Sequence, residues 1–129
     1  VLMIGTNNTG HRGEDPRTTA AGIRRLIDEI HRRLPATRVL LLAIFPRGEK
    51  PDDFQRRLNE RVNGLIAGDA DGRSVFFLDI GKAFLEPDGS LSRDVMPDLL
   101  HPNEKGYEIW QRAMDSTLKQ LLASESRGQ

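Results

Sequence analysis

The sequence predicts a three-layer α/β domain in which a parallel sheet is covered by helices on both faces, and three observations carry that expectation. Short apolar runs lack the polar alternation of a half-solvated strand, as strands buried on both faces do. Between them lie stretches whose apolar residues recur at helical spacing. The joining segments are short and rich in Gly, Pro and Asp, so the order reads strand, helix, strand, helix, strand, with right-handed crossovers and parallel pairing.

The first run is Val1 to Ile4, ended by Gly5 where the backbone must turn. Thr6, Asn7 and Asn8 follow at the carboxyl end of a strand, which is where open parallel sheets place their ligands. Asn7 is therefore either a residue delivered to a site or, with Asn8, part of a loop or Asx-turn. Asp15-Pro16 offers an N-cap followed by Pro at the first helical position, and Ile23, Leu26, Ile27, Ile30 and Leu34 mark one face of a helix from Pro16 to Leu34. Pro35 helps to stop it, and Arg38 to Ile44 is the second strand. A breaker-rich loop, Phe45 to Asp53, leads to a second helix with Phe54, Leu58, Val62, Leu65 and Ile66 inward, ending near Gly68, and with Arg, Glu and Asn opposite. Asp69 to Arg73 makes a turn, and Ser74 to Asp79 is the third strand. A last helix begins after Pro102 and runs to near Leu122, with Ile109, Trp110, Met114, Leu118, Leu121 and Leu122 on its inner side. Residues 124–129 are expected to fray.

Composition bounds the function classes. With 129 residues, 37% hydrophobic and 29% charged, the chain has the size and apolar content of one globular domain. Its 19 Lys+Arg balance 19 Asp+Glu, so no net positive field recommends nucleic acid or an anionic membrane, and a neutral small molecule is the simpler partner. No stretch approaches the roughly eighteen consecutive apolar residues of a membrane span. The absence of cysteine removes disulfides, a thiolate nucleophile and cysteine zinc ligation without fixing a compartment. Three strands are few for such a sheet, and Val1 opens without Met inside an apolar run, so earlier strands of a longer chain are expected to be missing.

The chemistry-bearing residues lie before the last helix, where Asp98 and His101 stand three apart between Pro97 and Pro102. A histidine acting as general base needs a carboxylate on one ring nitrogen to fix its tautomer, leaving the other nitrogen for the nucleophile's proton. The same pair can equally be a cap and a surface residue. His11 and His31 read as solvated loop and helix residues. Asp69 to Gly72 lacks the following ligands of a calcium loop and reads as a turn, so no metal is expected. Arg47 and Lys50 either guide a polar group of a substrate or are simply solvated.

Gly5-Thr6-Asn7-Asn8 at a strand end, the strand-helix-strand continuation and Asp98-x-x-His101 ahead of a terminal helix together resemble the SGNH, or GDSL, family of serine esterases over nearly the whole chain. The loop Phe45 to Pro51 and the segment Pro97 to Tyr107 resemble one branch, the catalytic subunits of intracellular platelet-activating-factor acetylhydrolase and similar bacterial acetylesterases. The resemblance implies a flavodoxin-like sheet of strand order 2-1-3-4-5, with residues 1–123 as the C-terminal part of a single SGNH hydrolase domain. It also implies Asn7 as an oxyanion-hole amide and Asp98 and His101 as acid and base of a Ser-His-Asp triad. Gly5, Thr6, Asn8 and Arg47 are expected beside the substrate. Asn8 stands where the family's block more often has Asp, a variation the acetylhydrolase branch shares.

The family's Gly-Asp-Ser nucleophile block and its oxyanion-Gly block occur nowhere in these residues. Ser74, Ser90, Ser92, Ser116, Ser124 and Ser126 fall in turns, a strand start, the last helix or the tail, not at a strand-to-helix elbow. The expectation is a carboxylic-ester hydrolase that removes a short acyl group, acetyl foremost, from a lipid or sugar, with its serine outside this chain and these residues inactive alone. The alternative is a truncated, non-catalytic relative serving as a binding or subunit-interaction domain. No cofactor is expected. The expected partners are the ester substrate, the missing N-terminal segment and, across the open edge at Val1 to Ile4, a second copy in a homodimer.

Overall fold

The structure is a computed structural model and describes residues 1–125. Its elements in chain order are α1 (Thr6–Arg12), α2 (Pro16–Arg33), β1 (Val39–Leu42), α3 (Phe54–Ala67), β2 (Val75–Leu78), a 3₁₀ turn (Gly81–Phe84) and α4 (Glu104–Glu125). β1 and β2 pair in parallel, Val39 opposite Val75 and Leu42 opposite Leu78. On the other edge of β1, Leu2 makes one parallel bridge to Leu41, closed by Leu2 N–H to the Leu40 carbonyl and Leu42 N–H to the Leu2 carbonyl, each 2.8 Å.

Alternation along β1 builds the three layers, because successive side chains leave a strand on opposite faces. Val39 and Leu41 pack with Ala20, Ile23 and Ile27 of α2 and Val62 and Ile66 of α3. Leu40 and Leu42 face the other way, onto Phe45, Phe84, Leu91 and Met96, with Ile109, Trp110, Ala113 and Met114 of α4 covering them. The continuous apolar run is thus a strand covered twice, as its sequence predicts.

The structure corrects several expectations. Val1 to Ile4 is not a strand buried on both faces: it contributes one bridge, and Val1 and Ile4 are 65% and 48% exposed. Its middle residues still reach both layers, Leu2 against the cluster of α2 and α3 and Met3 against that of α4, while the end residues Val1 and Ile4 stay exposed on a segment with a hydrogen-bonded neighbour on one side. Residues 6–12 form a helix rather than a loop. Leu26, Leu34, Phe54 and Leu122 are exposed rather than inward. Phe54 opens α3, while Leu34 lies one residue past the end of α2, outside the helical face that packs. α4 runs to Glu125, so Ser124 and Glu125 are helical, and residues 126–129 of the expected tail lie outside the described residues. The polar face of α3 is not wholly solvated either, since Arg56 and Asn59 are each 1% exposed.

Candidate active site

The turn from Pro97 to Pro102 brings Asp98 and His101 together. One Asp98 carboxylate oxygen accepts the N–H groups of Leu100 (3.0 Å) and His101 (2.7 Å), and the other lies 2.6 Å from His101 Nδ1. A carboxylate only accepts, so Nδ1 carries a proton, and in the neutral imidazole this tautomer leaves the lone pair on Nε2. The His101 contact, followed by the backbone donors, pulls the Asp98 carboxyl from its ordinary 3.8 down to about 2. His101 is 76% exposed over its side chain, so Nε2 is accessible.

The following helix holds this turn from behind. Asn103 donates through its side chain to the Asp94 carbonyl (2.9 Å) and accepts from Gly106 N–H (3.1 Å), while its own N–H reaches the Val95 carbonyl (3.0 Å). Gly106 is required by this approach, because a Cβ there would lie 2.6 Å from the Val95 oxygen.

On the strand side, Gly5 adopts φ +122 and a Cβ would meet Ile44 Cδ1 at 2.8 Å, so only glycine turns the chain here. The Gly5 carbonyl then accepts Asn8 N–H (3.0 Å) and Thr9 N–H (3.2 Å), starting α1. Its Thr, Asn and Gly residues are poor helix formers, and remote side chains supply what propensity lacks. Arg47 Nη1 donates to the Thr6 carbonyl (2.9 Å), Gln55 to the Gly10 carbonyl (2.9 Å), and the buried Thr9 hydroxyl to Asn59 Oδ1 (2.5 Å).

A cavity of about 220 Å³ lies beside His101, walled by Met3, Ile4, Ile44, Phe45, Leu100, Tyr107 and Trp110, with Thr6 at its edge. Trp110 meets Phe45 edge-on (4.7 Å between centroids) and stacks on Tyr107 (5.5 Å), which gives the wall a rigid aromatic side. Of the expected site residues, Asp98, His101 and Thr6 thus converge. Gly5 and Asn8 open instead on a groove of about 600 Å³ along α2, where the Asn8 amide is bound to Glu14 (2.9 Å). Asn7 is exposed on α1 and lines neither space. Arg47 is committed to the α1 backbone. Tyr107 and Trp110 were legible only as helix positions, and nothing in their spacing marks the cavity wall.

Ser90 is a turn residue, its N–H donating to Asp88 (2.9 Å). Among the described residues no three His, Cys, Asp or Glu side chains group as metal ligands, and no helix is long and apolar enough to cross a membrane.

Known proteins resemble this chain at two levels, sequence family and fold. The model of the GDSL-like Lipase/Acylhydrolase family matches residues 1–109. "Platelet-activating factor acetylhydrolase IB subunit alpha1" of Pongo abelii is 36% identical over 126 residues, covering 97% of this chain and 53% of that protein. The alpha2 subunit of Rattus norvegicus is 32% identical over 123 residues, 95% of this chain and 52% of that protein. The chain therefore spans about half the length of the curated relatives it matches. A solved structure from Streptococcus pneumonia, provisionally described as a platelet activating factor, superposes with a TM-score of 0.77 at 22% identity, over 91% of this chain and 57% of that one, a likeness of fold.

Proposed function

The chain belongs to the GDSL-like lipase/acylhydrolase family, and from that premise we propose that it carries the base, the acid and one oxyanion donor of a serine esterase whose nucleophile lies outside residues 1–129. The observation that supports this most is the 2.6 Å contact between Asp98 and His101 Nδ1, which leaves Nε2 as a base. In the proposed reaction the serine hydroxyl attacks the ester carbonyl while Nε2 takes its proton. Asp98 stabilises the resulting imidazolium, and the Asn7 amide donates to the carbonyl oxygen as it gains charge. The intermediate collapses when His101 returns the proton to the leaving alcohol. Water then attacks the acyl-serine with His101 again as base, releasing the acid and restoring the serine.

The acyl group is short, acetyl foremost, as the names of the relatives suggest, and the alcohol is that of a lipid or a sugar. The apolar cavity beside His101 suits part of such an ester. Residues 1–129 alone are inactive on this reading. The test is hydrolysis of an aryl acetate by the full-length polypeptide carrying these residues, with and without His101→Ala. Loss of turnover with folding intact is expected, and full activity in the variant contradicts the assignment.

A further inference from the structure

Arg56 is the largest fully buried side chain among the described residues, at 1% exposure, and its hydrogen bonds go to backbone rather than to a carboxylate. Its guanidinium donates to the carbonyls of Gly89 (2.6 Å), Gly48 (2.7 Å), Arg47 (3.3 Å) and Glu49 (3.4 Å). Burial pushes its pKa down, opposed by the charges of Glu60 and Asp53. A buried cation is costly unless its donors are satisfied, and here they are spent on the loop after β1 and the turn at Gly89.

That loop touches the candidate site. Gly48 sits at φ +77, and its N–H donates to the Leu99 carbonyl at 3.0 Å. Leu99 lies between Asp98 and His101 and is the one non-glycine residue described with positive φ, +60. Left-handed backbone is unfavourable for a side chain such as leucine and persists where its surroundings enforce it. Leu99 is held from both ends, its own N–H donating to the Met96 carbonyl at 2.8 Å. It is this turn that lets Asp98 collect the N–H groups of Leu100 and His101 and meet the imidazole. Glu49, whose carbonyl Arg56 also reaches, accepts Leu91 N–H at 2.9 Å and ties in the 89–91 segment.

We infer that Arg56 is a positioning residue for His101: it fixes the peptides of residues 47–49, and through the Gly48 to Leu99 bond it holds the strained turn that aims the imidazole. This rests on His101 being the base. Its neighbours on α3 show the same use of side chains on that loop. Asn63 pairs with both the N–H (2.7 Å) and the carbonyl (2.9 Å) of Ile44, and Asn59 donates to the Phe45 carbonyl (3.2 Å). Only Arg56 of the three reaches the residues bonded to Leu99.

The test compares Arg56→Met, Arg56→Lys and, as a destabilised control, Val62→Ala in the full-length polypeptide, reading kcat and KM for an aryl acetate together with Tm. Val62 is fully buried in the apolar cluster on the α2 and α3 side of β1, away from Phe84, Leu91 and Met96 on the other face, and makes no hydrogen bond to the 47–49 loop. Arg56→Met should lower kcat by about 10- to 100-fold with KM nearly unchanged, the signature of a displaced catalytic group. Val62→Ala should lose comparable Tm and keep its kcat, and Arg56→Lys should recover part of the lost kcat. If Arg56→Met does not fold, Arg56→Lys against Val62→Ala decides on the same readings. A kcat that falls no further in the Arg56 variants than in Val62→Ala at equal loss of Tm overturns the inference. Retained activity in His101→Ala instead overturns the reading beneath it, whatever Arg56 does.

Discussion

Asp71 and Asp98 build almost the same turn. In each, one carboxylate oxygen serves backbone N–H groups, those of Arg73, Ser74 and Val75 in the first and of Leu100 and His101 in the second. In each, the other oxygen takes the side chain three residues on, the Ser74 hydroxyl at 2.7 Å or His101 Nδ1 at 2.6 Å. Asp71, with more backbone donors, is held even further below the ordinary carboxylate range than Asp98. Yet Asp71 only delivers the chain into β2. A depressed pKa therefore measures how many donors a carboxylate collects, whereas chemistry depends on what it holds. A hydroxyl held by a carboxylate ends the chain of consequences; an imidazole passes them on through its second nitrogen.

Breaking the two turns in the full-length polypeptide should separate these roles. His101→Ala should cost the most, about 10⁶-fold in kcat for an aryl acetate, as expected when the base of such a triad is removed. Asp98→Asn should cost about 10⁴-fold, because an amide no longer selects the Nδ1–H tautomer. Asn7→Ala should lower kcat by about 10²- to 10³-fold if its amide is a main oxyanion donor. An effect on KM alone would make Asn7 a ground-state contact instead. Asp71→Asn should leave kcat/KM unchanged and lower Tm at neutral pH, and activity loss at unchanged Tm would erase the contrast between the turns.

The two aspartates also predict an acid-side difference. Each folded pKa lies below the ordinary 3.8, so each contribution to stability is complete above that value and is lost as pH falls through the folded one. For Asp98 the loss falls between pH 3.8 and about 2, and for Asp71 it extends lower. Denaturant titrations across this range should show a shallower fall in Asp71→Asn than in the wild type, and an unaltered slope would mean that the Asp71 carboxyl titrates alike in the folded and unfolded chain, contradicting the depressed value.

What the sequence made legible follows the range of the interactions. α2 was readable to within one residue of its end because its cap and apolar face are local. The contact of Asp98 with His101 was readable because they stand three positions apart and prolines flank the turn. α1 was not, since Arg47, Gln55 and Asn59, more than forty residues away in the chain, hold a segment of poor helix formers. Arg56, Asn59 and Asn63 recur at helical spacing, which on paper is indistinguishable from a solvated stripe. The missing cue was the demand of a Gly- and Pro-rich loop for partners to its buried carbonyls. Nothing in the Leu99-Leu100 pair signals a left-handed residue.

On the proposed reading, Asp98 and His101 serve a serine that is not among these residues. Fluorophosphonate labelling of the full-length polypeptide, followed by mass-spectrometric mapping of the modified peptide, tests it most directly. A single labelled serine outside residues 1–129 is expected, with labelling lost in His101→Ala. A label on Ser90, or on any other serine within residues 1–129, would contradict it.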